Sequence, residues 1–176
     1  YIKMIKKIYI FIVLFFIGLS TQANAYDCFF DKIKPGTTTK DFQKLGISAG
    51  GEDELGGFHG VFRSDQFCKN SEGVENIIIQ LFFFKNKLAK ISYESYLNDQ
   101  LVLFDIVENT YKVKLEKNKA QSKKNESEIY TSTKDNNFFF YALIKNENGK
   151  IEYLEIMTNK EREKIDEYFL KMEETQ

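Results

Sequence analysis

The sequence predicts an α+β protein in which tandem duplicated helix-plus-three-strand units form an antiparallel sheet, with a further helix at the C-terminus. Three observations carry this. Helix-capping sequences begin at Thr38, at Asn98 or Asp99, and at Thr158, spaced 60 residues apart. The stretches between the caps alternate apolar and polar residues as strands do. Finally, Lys85-Asn86 followed by Lys90-Ile91-x-Tyr93 recurs as Lys145-Asn146 followed by Lys150-Ile151-x-Tyr153, again 60 residues on. A period this long exceeds that of solenoid repeats, so a duplicated α+β domain is expected. The predicted organisation is a signal peptide over 1–25, a first unit over 26–97, and a second unit with the C-terminal helix over 98–176. The two units are read as one compact domain.

The N-terminus carries Lys3, Lys6 and Lys7, then an apolar run over 8–19, then polar residues ending in Ala23-Asn24-Ala25. This order of basic, apolar and small-x-small segments reads as a secretory signal cleaved after Ala25. The run of 12 residues falls short of the roughly 20 that a helix needs to cross a bilayer, so no stable membrane anchor is expected after cleavage. The expected location is the periplasm or the extracellular medium. Cys28 follows Ala25-Tyr26-Asp27, and an aromatic and an acid before it argue against a lipidated cysteine. Removing three lysines from a chain of net charge −1 leaves −4. A mildly acidic chain with dispersed lysines has no electrostatic footprint for nucleic acid or for an anionic membrane.

Cys28 and Cys68 are the only cysteines. An even count in an exported chain reads as a disulfide, and 40 residues of separation without a Cys-x-x-Cys motif leave a redox role without support.

The first helix is short, opening at Thr38-x-x-Asp41, presenting Phe42 and Leu45 on one face and stopping at Gly46. Residues 49–60, with Gly50, Gly51, Gly56, Gly57 and Gly60, read as a mobile loop, followed by a short strand near 60–64. One hairpin then runs over 77–84 and 88–96, turning around Lys85-Asn86-Lys87. The second helix is expected to be the long central one, because Leu101, Phe104, Val107, Tyr111 and Leu115 recur at helical spacing, with Leu103 and Ile106 broadening the stripe. Residues 116–127 read as an exposed polar linker. A strand near 128–133 precedes a second hairpin over 138–145 and 150–157, which turns through Asn146-Glu147-Asn148-Gly149. The last helix, capped by Thr158-x-x-Glu161, carries Ile165, Phe169 and Met172 on one side and a Glu167 to Lys171 pair on the other. It either packs on the sheet or is offered to a partner.

Candidate chemistry is sparse. His59 is the single histidine, so any Ser-His-Asp or Cys-His arrangement has to use it, and no Gly-x-Ser-x-Gly turn or zinc-type histidine pair accompanies it. No catalytic residue, metal site or cofactor is therefore expected. The glycines over 50–60 lack the Lys-Ser/Thr of a phosphate-binding loop. Glu52, Asp53, Glu54 and His59 lie close together, either as a solvated acidic loop or as weak metal ligands. Phe58, His59 and Phe62 are the candidate binding residues, since aromatics on a glycine-rich loop can anchor a protein partner, the alternative being core packing at the start of a strand. Phe82 to Phe84 and Phe138 to Tyr141 are apolar on both strand faces. Buried central strands explain that pattern, the functional alternative being a lipid-binding groove or an exposed aromatic patch.

Residues Ile33-Lys34-Pro35-Gly36-Thr37-Thr38-Thr39-Lys40-Asp41-Phe42, with Leu45-Gly46, resemble the opening of the BamE/SmpA outer-membrane assembly lipoproteins and of the related β-lactamase inhibitor protein fold. In those families a similar stretch begins a short helix followed by a strand meander, and the inhibitor-like members carry two tandem units. The resemblance implies structural roles for Gly36, Thr38, Phe42 and Gly46 and carries over no binding residue. The functions to be tested are, first, a non-catalytic protein that binds another envelope or secreted protein through its sheet face or glycine-rich loop; second, a periplasmic carrier of a small apolar ligand; third, an enzyme using His59.

Overall fold

A computed structural model describes residues 27–48, 50–96, 101–122, 126–147, 149–160 and 162–174. The expected signal segment, the Asn98/Asp99 cap, the unit boundary at Leu97 and Glu161 of the last capping sequence lie outside them.

The fold is α+β. A two-stranded sheet pairs β1 (Asp27–Cys28) with β3 (Cys68–Asn70), and Cys28 and Cys68, directly opposite each other, form a disulfide. The remaining strands are β2 (Gly57–Arg63), β4 (Ile77–Phe84), β5 (Lys87–Tyr96), β6 (Glu116–Lys117), β7 (Ser127–Lys134), β8 (Asn137–Asn146) and β9 (Gly149–Thr158). They form one antiparallel sheet in the order β2-β4-β5-β9-β8-β7-β6. Both hairpins lie where alternation and turn residues place them. Lys85 and Asn86 take positive φ values of 51° and 62°, and Asp135 and Asn136 repeat this with 51° and 63° at the β7–β8 turn, the two-residue geometry that matches strand twist. Reading outwards from the β5–β9 pair, each side of the sheet is a three-strand meander preceded by a helix.

Helix α1 (Thr39–Lys44) starts where its cap predicts, with Thr38 Oγ1 accepting from the Asp41 N–H and donating to the Asp41 carboxylate. It ends at Gly46, whose φ of +80° suits glycine. Helix α2 (Val102–Asp105) continues only as a π turn over Ile106–Thr110, so the long central helix is a misreading. After Tyr111 the chain reverses through Lys112 at φ +54°. Val113 and Leu115 then enter the core from a segment that is neither helix nor strand, so their apolar character is satisfied without the helix. The polar stretch after α2 is not all linker either, since Glu116–Lys117 pairs with β7 as the sheet's short outer strand. Helix α3 (Arg162–Glu174) buries Ile165 and Tyr168.

The two faces of the sheet differ. On the inner face α1 and α2 cover Ile77, Ile79, Leu81, Phe83, Ile91, Tyr93, Phe139, Tyr141, Leu154 and Ile156 in one continuous core. On the outer face α3 covers a separate, smaller cluster of Phe82, Phe84 and Ala89. The two-sided apolar pattern of β4 thus arises from helices on both faces.

Candidate functional site

The segment expected to be a loop up to Gly60 is strand from Gly57 onward. Two of its glycines serve close approach: a Cβ on Gly57 would collide with the Tyr168 ring, and one on Gly60 with the Phe62 ring. Alternation along β2 therefore separates the three candidate binding residues. Phe58 and Phe62 turn inwards against the main core, Phe58 beside Phe83 at 6.1 Å and Phe62 edge-on to Phe67 at 5.7 Å. His59 turns outwards, with ring centroids 4.6 Å from Phe82 and 5.8 Å from Phe169. Burial, reinforced by the Lys90 ammonium, holds its pKa below the usual histidine value against the opposing pull of Asp53.

The neighbouring acids have structural partners. Asp53 Oδ1 accepts from the N–H groups of Leu55 and Gly57, and its Oδ2 accepts the Tyr168 hydroxyl at 2.6 Å. Burial and this hydrogen bond to a carboxylate push the Tyr168 hydroxyl up to about 12. Glu52 accepts from the Asn86 N–H. Among the described residues no three His, Cys, Asp or Glu side chains gather as metal ligands do. Asp53 pins α3 to the start of β2, and His59, still exposed, lies beside Tyr168 and Phe169 of α3.

A second surface lies beyond α3, on the outer face of β5, β9 and β8. The register fixes which residues meet there: Ser92, Glu155 and Phe140 form one row across the sheet, Glu94, Tyr153 and Ala142 the next, and Tyr96, Ile151 and Ile144 a third. Phe138 extends the β8 column towards the Asp135–Asn136 turn. Tyr96 and Ile144 are 39% and 40% exposed, while Phe138, Phe140, Ile151 and Tyr153 are half-buried. No helix among the described residues packs on this part of the face.

Its polar groups are arranged among the rings. Tyr153 lies edge-on to Phe140 at 6.2 Å, and its hydroxyl donates to Glu155 at 2.7 Å and accepts from the Ser92 hydroxyl at 3.3 Å. Burial and the Glu155 carboxylate push that hydroxyl up to about 12. Tyr96 donates to Glu94 at 2.5 Å, which raises its pKa. Lys90 approaches Glu155 at 3.6 Å and lies over the Phe169 ring at 5.2 Å, marking the border with α3. The face offers rings held by neighbours, hydroxyls fixed as donors, and two carboxylates facing solvent. Rigid aromatics with adaptable polar neighbours are what recognition surfaces use.

The sequence placed Phe138 to Tyr141 on a two-faced strand but could not assign the faces. Tyr141 and Phe139 are buried beneath α2, whereas Phe138 and Phe140 reach the open side. Tyr96 and Ile144 were not singled out, and Tyr153 only as part of the hairpin repeat, because their place on an uncovered face depends on where α3 packs, a tertiary fact. An open groove of about 400 Å³ at one end of β5 and β9 is lined by Pro35, Gly36, Leu88, Asp135, Asn137 and Thr158, among others. The disulfide fits an oxidising, non-cytoplasmic compartment, and no helix among the described residues is long and apolar enough to cross a membrane. Compared with known proteins, the chain matches no family model, no curated protein and no solved structure.

Proposed function

We propose that this chain is an exported, non-catalytic protein of the periplasm or extracellular medium that binds another protein through the outer face of β5, β9 and β8. The observation that carries the reading is the run of Phe138, Phe140, Tyr153, Ile151, Ile144 and Tyr96 on that face without a covering helix among the described residues. An apolar surface held open on a rigid sheet is costly in water unless something covers it part of the time. In this reading the two halves of the chain descend from one helix-plus-meander unit. Their strand order, read outwards from the β5–β9 pair, supports that, as does the 60-residue recurrence of caps and hairpin residues. The resemblance of residues 33–46 to the BamE/SmpA and inhibitor-like families points the same way, towards a protein that acts by contact.

The test is capture from envelope and culture-medium fractions, with the oxidised exported protein as bait beside a Phe140→Glu/Ile144→Glu variant. A protein retained by the wild type and lost with the variant supports the reading. Retention that survives both substitutions moves the site elsewhere, and recovery of a lipid or small molecule instead of a protein replaces this reading with a carrier.

A further inference from the structure

A different surface, the free edge of β2, carries an inference that does not depend on the outer face. In an antiparallel ladder alternate residues bond to the neighbouring strand. The Lys85 N–H donates to the Gly56 carbonyl at 2.9 Å, and Gly57 lies opposite Phe84 in the register. Residues 58, 60 and 62 therefore bond inwards to β4, and the backbone groups of Gly57, His59, Val61 and Arg63 point away from the sheet.

The two ends of this edge are closed. Gly57 donates to Asp53 Oδ1 at 2.8 Å and accepts from the Asp53 N–H at 2.8 Å. The Arg63 N–H donates to Gln66 Oε1 at 3.3 Å. Between them, the N–H and C=O groups of His59 and Val61 have no partner among the described residues. Native proteins normally blunt an edge with proline, a bulge, an inserted charge or a very short strand. The opposite edge follows that rule, since β6 is the two residues Glu116–Lys117. The β2–β4 register is continuous over seven residues, and the one charged side chain is Arg63, at the very end. Val61, in the middle, is 70% exposed.

We propose that this edge pairs with the same edge of a second copy, about a two-fold axis through Gly60. The open segment is self-complementary in that register. His59 of each copy faces Val61 of the other, so all four open backbone groups on each side are used, in four N–H···O bonds. The closely spaced pair at the centre is Gly60 against Gly60, which bring no side chains of their own, the Phe62 ring of each copy lying over its own Gly60. Centring the axis on His59 would instead oppose Val61 with the closed Gly57, and centring it on Val61 would oppose His59 with Arg63, whose N–H is taken. Phe58 faces Phe62 twice on the inner side, which lets the four rings meet as aromatic cross-strand pairs do. On the outer side the exposed Val61 is covered by the partner's His59 ring. The ladder ends at Phe62, where the chain turns into Ser64–Phe67, so the association is short and weak, in the class of interfaces below about 1,200 Å².

Sedimentation velocity on the exported protein with its disulfide formed, from about 10 μM to about 1 mM, tests this over the range where an interface of that class associates. Wild type is expected to shift from monomer to dimer with concentration. Val61→Lys, at a side chain that already faces solvent, is expected to weaken the association by about tenfold or more through like-charge contact at the edge. Val61→Pro is the second variant: it removes an N–H that the monomer's own sheet does not use, so dimer loss with an unchanged circular dichroism spectrum separates edge pairing from misfolding. A wild type that stays monomeric throughout, a Val61→Lys protein that dimerises like the wild type, or an edge found to pair only with a different protein each overturns the proposal.

Discussion

Helix α2 begins at Leu101, which offers its first turn no side-chain cap. The cap comes from a strand distant in sequence: the Glu152 carboxylate of β9, only 3% exposed, accepts from the N–H groups of Leu103 and Phe104, each at 3.2 Å, and from the Tyr141 hydroxyl at 2.9 Å. Glu152→Ala leaves three donors in or near the core without an acceptor. At about 1–3 kcal/mol for each buried unsatisfied group, with partial rescue by water, the loss is expected to be about 3–5 kcal/mol. Glu152→Gln keeps an amide oxygen to accept and is expected to lose about 1–2 kcal/mol at neutral pH. Urea unfolding of the oxidised protein, monitored by far-UV circular dichroism, measures both. The pH dependence adds a sharper test. Burial raises the Glu152 pKa above its usual value despite the hydrogen bonds that oppose the shift. A raised folded-state pKa means that the proton-linked stability is complete below the unfolded value near 4.5 and is lost as pH rises through the folded one. Glutamine does not titrate, so the deficit of Glu152→Gln relative to wild type should be larger at pH 4 than at pH 7. A Glu152→Ala cost below about 1 kcal/mol, or a Glu152→Gln deficit that grows with pH, would refute the reasoning.

Three further expectations follow from the packing. Tyr168→Phe removes the hydroxyl that ties α3 to Asp53 and should cost about 1–2 kcal/mol, seen most directly as faster amide exchange in α3 with β8 and β9 unchanged. Reducing the Cys28–Cys68 bridge, which closes a 40-residue separation, should cost about 4 kcal/mol by the chain-entropy account, measured as the shift of the urea midpoint with and without reductant. Glu128 is held at about 2 by Lys117, Lys145 and Tyr130, so it contributes stability above the unfolded value near 4.5 that is lost as pH falls towards 2. Glu128→Gln should accordingly flatten the acid limb of the stability profile by less than about 1 kcal/mol, since the ion pairs face solvent; an unchanged limb would exclude the contribution.

How much of this was legible in the sequence depended on the range of the interactions. The hairpins, α1, α3 and the disulfide are written in local signals: turn residues, Thr38 and Gly46, the apolar stripe of Ile165, Phe169 and Met172, and an even cysteine count. The end of α2 is not, because Leu115 continues the helical spacing but is buried in a segment that is neither helix nor strand, and periodicity cannot distinguish the two. The glycines at 57 and 60 read as looseness, whereas they permit the Tyr168 and Phe62 rings to lie against a strand. Glu152 looked like an ordinary polar position in an alternating strand. Its role depends on helix α2, whose Leu103 lies 49 residues away in sequence, which no local pattern encodes. The open face was half legible: Phe138 and Phe140 stood out, but their exposure depends on where α3 stops.

The central claim is that the outer face of β5, β9 and β8 is the interaction surface, and hydroxyl-radical footprinting tests it without knowledge of the partner. Isotope-labelled oxidised protein is irradiated alone and in envelope and culture-medium extracts, and side-chain oxidation is read by mass spectrometry. The account predicts protection at Tyr96, Phe138, Phe140 and Tyr153 in one of the extracts, with Leu55 and Leu170, exposed elsewhere, unchanged. Equal oxidation of those four aromatics with and without extract, or protection confined to Leu55 and its neighbours, would contradict it.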